Sequence, residues 1–185
     1  FGIKSKNIST VDYLLMPPAG RIIDAHGGHL VNQYTNVKIR KNDLPLIKVD
    51  NETVSDIVNI CNGTFSPVKR FMNQEEIYSV LNENRLANGI EWSMPIILQI
   101  DKKYLSTISN ENSIGLINKM DSKIFALLND IQIESNINLK EIARKWFGTV
   151  DNKHPGVSKF LKKGKVIISA KPELIEDNDF VGSHF

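Results

Sequence analysis

Two histidines three positions apart, His26 and His29, stand in the run D-A-H-G-G-H-L at 24–30. H-x-G-H is a spacing in which two imidazoles can hold the phosphates of a nucleotide. Such a site needs a strand leading in and a helix following, so that free N–H groups and the helix dipole meet the phosphates. Arg21-Ile22-Ile23 could supply the strand, but L-V-N-Q-Y-T-N-V at 30–37 carries β-branched residues and no helical stripe. A metal site is no better served. Two imidazoles leave a zinc ion short of ligands, and Asp24 is the one nearby carboxylate. The residues favour a turn, with positive φ at Gly27 and Gly28 and the imidazoles capping or packing.

The other polar features have plain structural readings. Lys159, Lys162, Lys163 and Lys165 cluster near the end of a helix, where lysines suit the dipole and a solvated face is expected. Asp151 to Pro155 reads as a helix cap. Trp92 and Trp146 read as core. Asn62-Gly63-Thr64 matches a glycosylation acceptor, but no secretory signal accompanies it and the match is taken as chance.

The elements that must position these residues are legible in part. The first fifty or so residues are irregular, broken by Pro17-Pro18 and Gly27-Gly28. Thr53-Val54-Ser55-Asp56 reads as a capping box, followed by the stripe Val54, Ile57, Val58 and Cys61 and a left-handed stop at Gly63. A second helix is expected after Asn73, with Glu76 completing the cap and Ile77, Val80 and Leu81 inward. A third is expected over Leu139 to Phe147, ended by Gly148. A fourth follows His154, with Pro155 in the first helical position and a stop at Gly164. Strands are expected at Ile96 to Ile100, Ile114 to Ile117, Ile124 to Ile133 and Val166 to Ala170, with a hairpin connection over Asn118 to Lys123. Short helices among these strands, without regular β-α-β alternation, point to a compact mixed sheet or small barrel.

Composition sets the outer bounds. The chain has 185 residues, 41% hydrophobic and 24% charged, which suits one sizeable globular domain. With 23 Lys+Arg against 21 Asp+Glu, the net charge of +2 gives no general attraction to nucleic acid or anionic membrane. A single cysteine, Cys61, excludes an intrachain disulfide framework and suits a reducing, cytoplasmic setting. No apolar run approaches the ~18 residues of a membrane span. The chain opens on Phe1, so it is expected to be trimmed or excised from something longer.

Four stretches resemble the N-terminal domain of the ATP sulfurylase (sulfate adenylyltransferase) family. H-G-G-H-L-V-N at 26–32 is similar to the family's P-H-G-G-x-L-V-N, with Ala25 where proline is usual. S-D-I-V-N-I-C-N-G-T-F-S-P-V-K-R-F-M-N at 55–73 is similar to S-D-x-x-x-I-x-x-G-x-F-S-P-L-x-G-F-M, with Lys69-Arg70 where a small residue or glycine is commoner. N-R-L-A-N-G-I-E-W-S-M-P-I at 84–96 matches R-L-x-x-G-x-x-W-x-x-P-I. W-F-G-T-V-D-N-K-H-P-G-V at 146–157 matches F-G-T-x-D-x-x-H-P-G-V.

The resemblance implies an α+β fold, a β-rich PUA-like pseudo-barrel with several short helices. It implies an N-terminal extension over 1–24, the PUA-like domain over 25–172, and over 173–185 the start of a linker toward a catalytic domain. The family joins sulfate to the α-phosphate of ATP, giving adenylyl sulfate and pyrophosphate. Its nucleotide-binding signature, Q-x-R-N-x-x-H-x-x-H, lies in the next domain and is missing from this chain, as is the later G-R-D motif. No catalytic, cofactor-binding or metal-binding residue is therefore expected in 1–185, and ATP and Mg are expected to meet their ligands in the catalytic domain. That domain is the expected partner, and the sequence after Phe185 is expected to carry its signature. Phe65, Ser66, Pro67, Arg70, Phe71, Arg85 and His154 are the candidates for the inter-domain interface, the arginines because they suit bidentate contact with carboxylate or phosphate. Relatives assemble as oligomers, which implies a homo-oligomer for the full-length form. The alternative is a stand-alone PUA-like module that binds RNA through the Lys159 to Lys165 cluster, which the near-neutral charge opposes.

Overall fold

A computed structural model of the chain describes residues 24–40, 43–119, 123–134 and 137–176. The expected strand at Arg21-Ile22-Ile23 and most of the expected N-terminal extension and linker lie outside the described residues. In chain order the elements are β1 (Tyr34–Thr35), β2 (Leu46–Val49), α1 (Asn51–Cys61), α2 (Gln74–Glu83), β3 (Leu98–Ile100), a 3-10 turn at Lys102–Tyr104, α3 (Leu105–Ile108), β4 (Ser113–Asn118), β5 (Ile124–Glu134), α4 (Leu139–Phe147), α5 (Pro155–Lys163) and β6 (Val166–Ile175). One mixed sheet runs β1-β6-β5-β4-β2, and β3 also pairs with β6. β4–β5, β5–β6 and β3–β6 are antiparallel, whereas β1 lies parallel to β6 and β2 parallel to β4. The fold is α+β, as expected.

Helix boundaries follow their caps. Asn73 and Glu76 form a reciprocal capping box at 2.8 and 2.9 Å. Asn138 caps α4, which ends on Gly148 at φ 71°. His154 caps α5 through a hydrogen bond from the Val157 N–H at 3.3 Å, and Pro155 occupies the first turn. α1 departs from expectation. Its cap is Asp50, whose carboxylate accepts the Thr53 N–H at 2.9 Å and the Thr53 hydroxyl at 2.8 Å. Thr53 is already helical and buried, so Asp56 lies a turn inside the helix and is not a cap partner. The positive φ expected of Gly63 is present, at 86°.

The strands also differ at their ends. Only 98–100 of the expected 96–100 joins the sheet, because Ile96 instead exchanges bonds with Met72: its carbonyl accepts the Met72 N–H and its own N–H reaches Met72 Sδ. β6 continues past 170 and 172 to Ile175, with Leu174 buried and paired to Ala126 on one side and Tyr34 on the other. The core joins Ile57, Ile60 and Cys61 of α1 and Ile77 and Val80 of α2 to Ile142, Ala143 and Phe160 of the later helices and Ile167, Ile168 and Ala170 of β6. Phe71, with 0% exposure, sits at its centre and bridges Ala170 through the Phe71 N–H at 2.9 Å. Burying such a side chain contributes about 2–3 kcal/mol.

Candidate functional site

The turn at 26–29 sits between two clefts. Gly27 and Gly28 take φ of 75° and 86°, and the Gly28 N–H closes on the Ala25 carbonyl at 2.8 Å. A Cβ on Gly27 would fall 2.8 Å from Pro67 Cγ, so this glycine lets the turn lie against the proline ring. The turn predicted for D-A-H-G-G-H-L is thus the structure adopted. It also holds its histidines apart. His26 lines an open cleft of 550 Å³ with Arg85, Glu91, Trp92 and Met94. His29 lines a second cleft, of 390 Å³, with Pro67, Lys69 and Arg70.

The first cleft is built on a short turn closed by the Arg85–Glu91 bridge. Arg85 donates to the Gly89 carbonyl at 2.7 Å and to the Glu91 carboxylate at 2.9 Å. His26 Nε2 lies 2.8 Å from the Glu91 carbonyl, which can only accept, so that nitrogen carries the proton. Trp92, read from the sequence as core, is half-buried at the edge of this cleft. Its ring lies 6.3 Å from that of His26 and meets Phe65 edge-on at 6.1 Å, and its indole N–H donates to the Met94 carbonyl.

Ser66 and Pro67 join the turn to the core. The Ser66 hydroxyl accepts the Val31 N–H at 2.9 Å and donates to the Gly63 carbonyl at 2.6 Å, and its side chain is buried. The Ser66–Pro67 peptide is cis. Arg70 in the second cleft donates from Nε to Ser169 Oγ at 3.1 Å and from Nη2 to the Asp130 carbonyl at 3.3 Å. Of the interface candidates, Phe65, Ser66, Pro67, Arg70 and Arg85 therefore gather around the H-G-G-H turn. Phe71 lies beneath them, enclosed in the core. His154 belongs to another neighbourhood, its ring 5.5 Å from Phe147.

A third cleft, of 310 Å³, was not foreseen. It opens between α1 and α5, and α4 and the 94–99 segment complete its walls. Its rim adds ion pairs to the lysine cluster, of which Lys159, Lys162 and Lys165 are exposed, as a solvated face requires, and Lys163 is half-buried. Lys159 is paired with Glu52, and Lys163, its side chain only 17% exposed, lies 3.2 Å from Glu52 and 3.7 Å from Asp50. The partners are over 100 positions away in sequence, so local spacing could not reveal them. The Lys159 hydrogen bond holds Glu52 below the usual carboxylate range. Burial pushes Asp50 up, but its two bonds from Thr53, with Lys163 and Lys119, outweigh this and hold it low. Asp56 behaves oppositely: burial pushes it up to about 6, Lys163 pulls against this, and Glu52 and Asp50 add to it. Cys61 is also pushed up, to about 12, chiefly by burial.

Asp56 gives a pH prediction. Its folded pKa lies above the unfolded value, so its relative stabilisation is present below about pH 4 and lost as pH rises through about 6. Asp56→Asn is expected to stabilise the fold by about 1–2 kcal/mol at pH 8, discounted for partial solvent contact. At pH 4 the gain should vanish. Urea unfolding at the two pH values checks this, and an equal effect at both would remove the account.

Among the described residues no group of three or more His, Cys, Asp or Glu side chains is arranged to hold a metal ion. His26 and His29 on separate clefts do not supply one either, so no step through a metal is assigned to these residues. No helix among the described residues is long and apolar enough to cross a membrane.

Residues 23–177 match the family model for the PUA-like domain. The chain is 36% identical over 158 residues to a sulfate adenylyltransferase of Hyperthermus butylicus, covering 82% of this chain and 40% of that protein. It is 31% identical over 161 residues to a probable bifunctional SAT/APS kinase 2 of Sorangium cellulosum, covering 84% and 27% respectively. Among solved structures it resembles a hexameric APS kinase from Thiobacillus denitrificans, with a TM-score of 0.59, 18% identity, and coverage of 86% of this chain and 28% of that one. The chain spans about 40% of the length of the sulfate adenylyltransferases it matches.

Proposed function

The chain belongs to the PUA-like domain family, and from that membership we infer that it serves as the N-terminal accessory domain of a sulfate adenylyltransferase. The observation that carries this reading is the extent of the match: over four-fifths of this chain aligns with about two-fifths of each such relative. The remaining three-fifths is the proposed home of the ATP- and Mg-binding groups, and it is the proposed partner of this domain. Catalysis of adenylyl transfer rests on positioned cations that neutralise developing charge. Arg70 and Arg85 are instead engaged with this chain's own backbone and side chains. Homo-oligomeric assembly and a cytoplasmic setting, where ATP is available, belong to the same reading of the complete enzyme.

The face proposed to meet the catalytic region is the one around the H-G-G-H turn. It carries Leu30, 70% exposed, and Met94, 42% exposed, beside half-buried Phe65 and the exposed Arg85–Glu91 pair. Exposed apolar side chains rimmed by such charges are what an inter-domain contact covers. His154, on the α4–α5 side, would need a second point of contact. An RNA-binding reading draws no support: two lysines of its cluster are paired with Glu52.

The test is a fusion in which residues 24–176 replace the matching region of the Hyperthermus butylicus relative. It is expected to release pyrophosphate from ATP only when sulfate is present, while the chain alone releases none. Adenylyl sulfate formation by the isolated chain would overturn the accessory role.

A further inference from the structure

The cleft between α1 and α5 holds one carboxylate that no ion pair among the described residues engages. Glu52 and Asp56 line it with Lys159 and Lys163, while Asp50 stands behind them between Lys163 and Lys119. Among the described residues the ion pairs of this cluster run from Lys159 to Glu52 and from Lys163 to Glu52 and Asp50. Asp56 is the carboxylate left over, and it lines the cleft. Beside Asp56 and the paired Glu52, Lys159 and Lys163, the lining holds one more polar side chain, Gln99, 6% exposed. Its amide nitrogen is committed to the carbonyls of Phe160 and Gly164 at 3.0 and 2.9 Å, so its oxygen is the polar atom it has left to offer. Asp56 and the Gln99 oxygen accept hydrogen bonds, and a ligand that engages them must therefore donate. The opposite wall is aromatic: Trp146 and Phe147 stack at 4.8 Å, and Phe160 meets Trp146 edge-on at 5.7 Å.

We propose that this cleft receives an arginine side chain from a polypeptide partner, its guanidinium on Asp56 and its plane against the aromatic wall. Arginine fits better than lysine because its flat, weakly hydrated cation stacks on aromatic faces and offers several donors in fixed directions. An anion is disfavoured, since both lysines of the lining are already paired with Glu52 and Asp50 and the unpaired group is a carboxylate. The cleft volume of 310 Å³ suits one side chain with its flanking backbone. This site adjoins the face proposed above at Met94, which lines both, but Asp56, Gln99 and Trp146 lie outside that face, so substitutions at these residues test the cleft alone.

The experiment titrates the chain with N-acetyl-arginine amide, following the Trp146 indole and Gln99 side-chain amide signals by nuclear magnetic resonance. Saturable shifts in the millimolar range are expected, with N-acetyl-citrulline amide, the uncharged isostere, binding at least fivefold more weakly. Affinity should rise about tenfold from pH 5 to pH 7, as the Asp56 carboxyl loses its proton near pH 6 between Asp50, Glu52, Lys159 and Lys163. Asp56→Asn should remove that rise while leaving the protein folded. Glu52→Gln, which frees Lys159, should weaken binding without removing the pH dependence. The proposal is overturned if no shift saturates, if citrulline binds equally well, if Asp56→Asn leaves binding unchanged, or if inorganic phosphate moves the same signals.

Discussion

Phe71→Ala is expected to lower stability by about 3–5 kcal/mol. The ring has 0% exposure and is the largest of the fully buried side chains. Truncation removes its transfer free energy and leaves a cavity that the sheet cannot collapse into, because the backbone at 71 is pinned twice. Its N–H is held by the Ala170 carbonyl, and its own carbonyl accepts the Ser169 hydroxyl at 2.9 Å. The same hydroxyl accepts Arg70 Nε, so loosening Phe71 should also release Arg70 from the second cleft. A loss of this size is a large share of the roughly 5–15 kcal/mol that a domain possesses. Phe71→Leu should cost clearly less. Urea unfolding with an unchanged m-value tests both. A loss below about 1 kcal/mol for the alanine variant would mean that the site repacks and that Phe71 does not anchor the Arg70 face.

How far the sequence revealed this arrangement depends on the range of the interaction. Asn73 with Glu76, Asn138 with Gly148, and His154-Pro155 are contacts within a few residues, and each helix they bound was legible. β1 and β2 were not. They have two and four residues, and their partners are Leu174-Ile175 and Gly115 to Asn118, so the signal for them lies in a distant strand. The misplaced cap of α1 has a local cause. Thr53 and Asp50 are both good caps, and burial of Thr53 against the core decides for Asp50. The candidate face shows the same division. The H-G-G-H turn was legible from its glycines, but its contact with Ser66, 35 positions on, was not. The Asp56 cleft depends on lysines beyond 100 positions and left no local trace. Motif resemblance supplied the family where periodicity could reach only the fold class.

Gly63→Ala should separate the two things a glycine can supply, and its expected cost is about 2–4 kcal/mol. At φ 86° any Cβ is strained, which accounts for about 1–2 kcal/mol of the loss. The rest comes from what the methyl group meets. It would crowd the Val31 carbonyl oxygen and stand 2.6 Å from Leu30 Cδ1, so the 30–33 segment must move off the end of α1. That movement strains the Val31 N–H bond to Ser66 and the Gln33 N–H bond to the Cys61 carbonyl, each worth about 0.5–1.5 kcal/mol. Gly28→Ala is the control. Its φ is also 86°, but nothing lies within 4 Å of the added carbon, so only the conformational part should be lost. Equal losses in the two variants would mean that the 30–33 segment is not seated on the helix end. A larger loss at Gly63, with amide exchange quickened at Val31 and Gln33, would show that this glycine fastens the turn carrying His26 and His29 to the domain. The two histidines would then owe their positions on separate clefts to a close backbone approach at the end of α1.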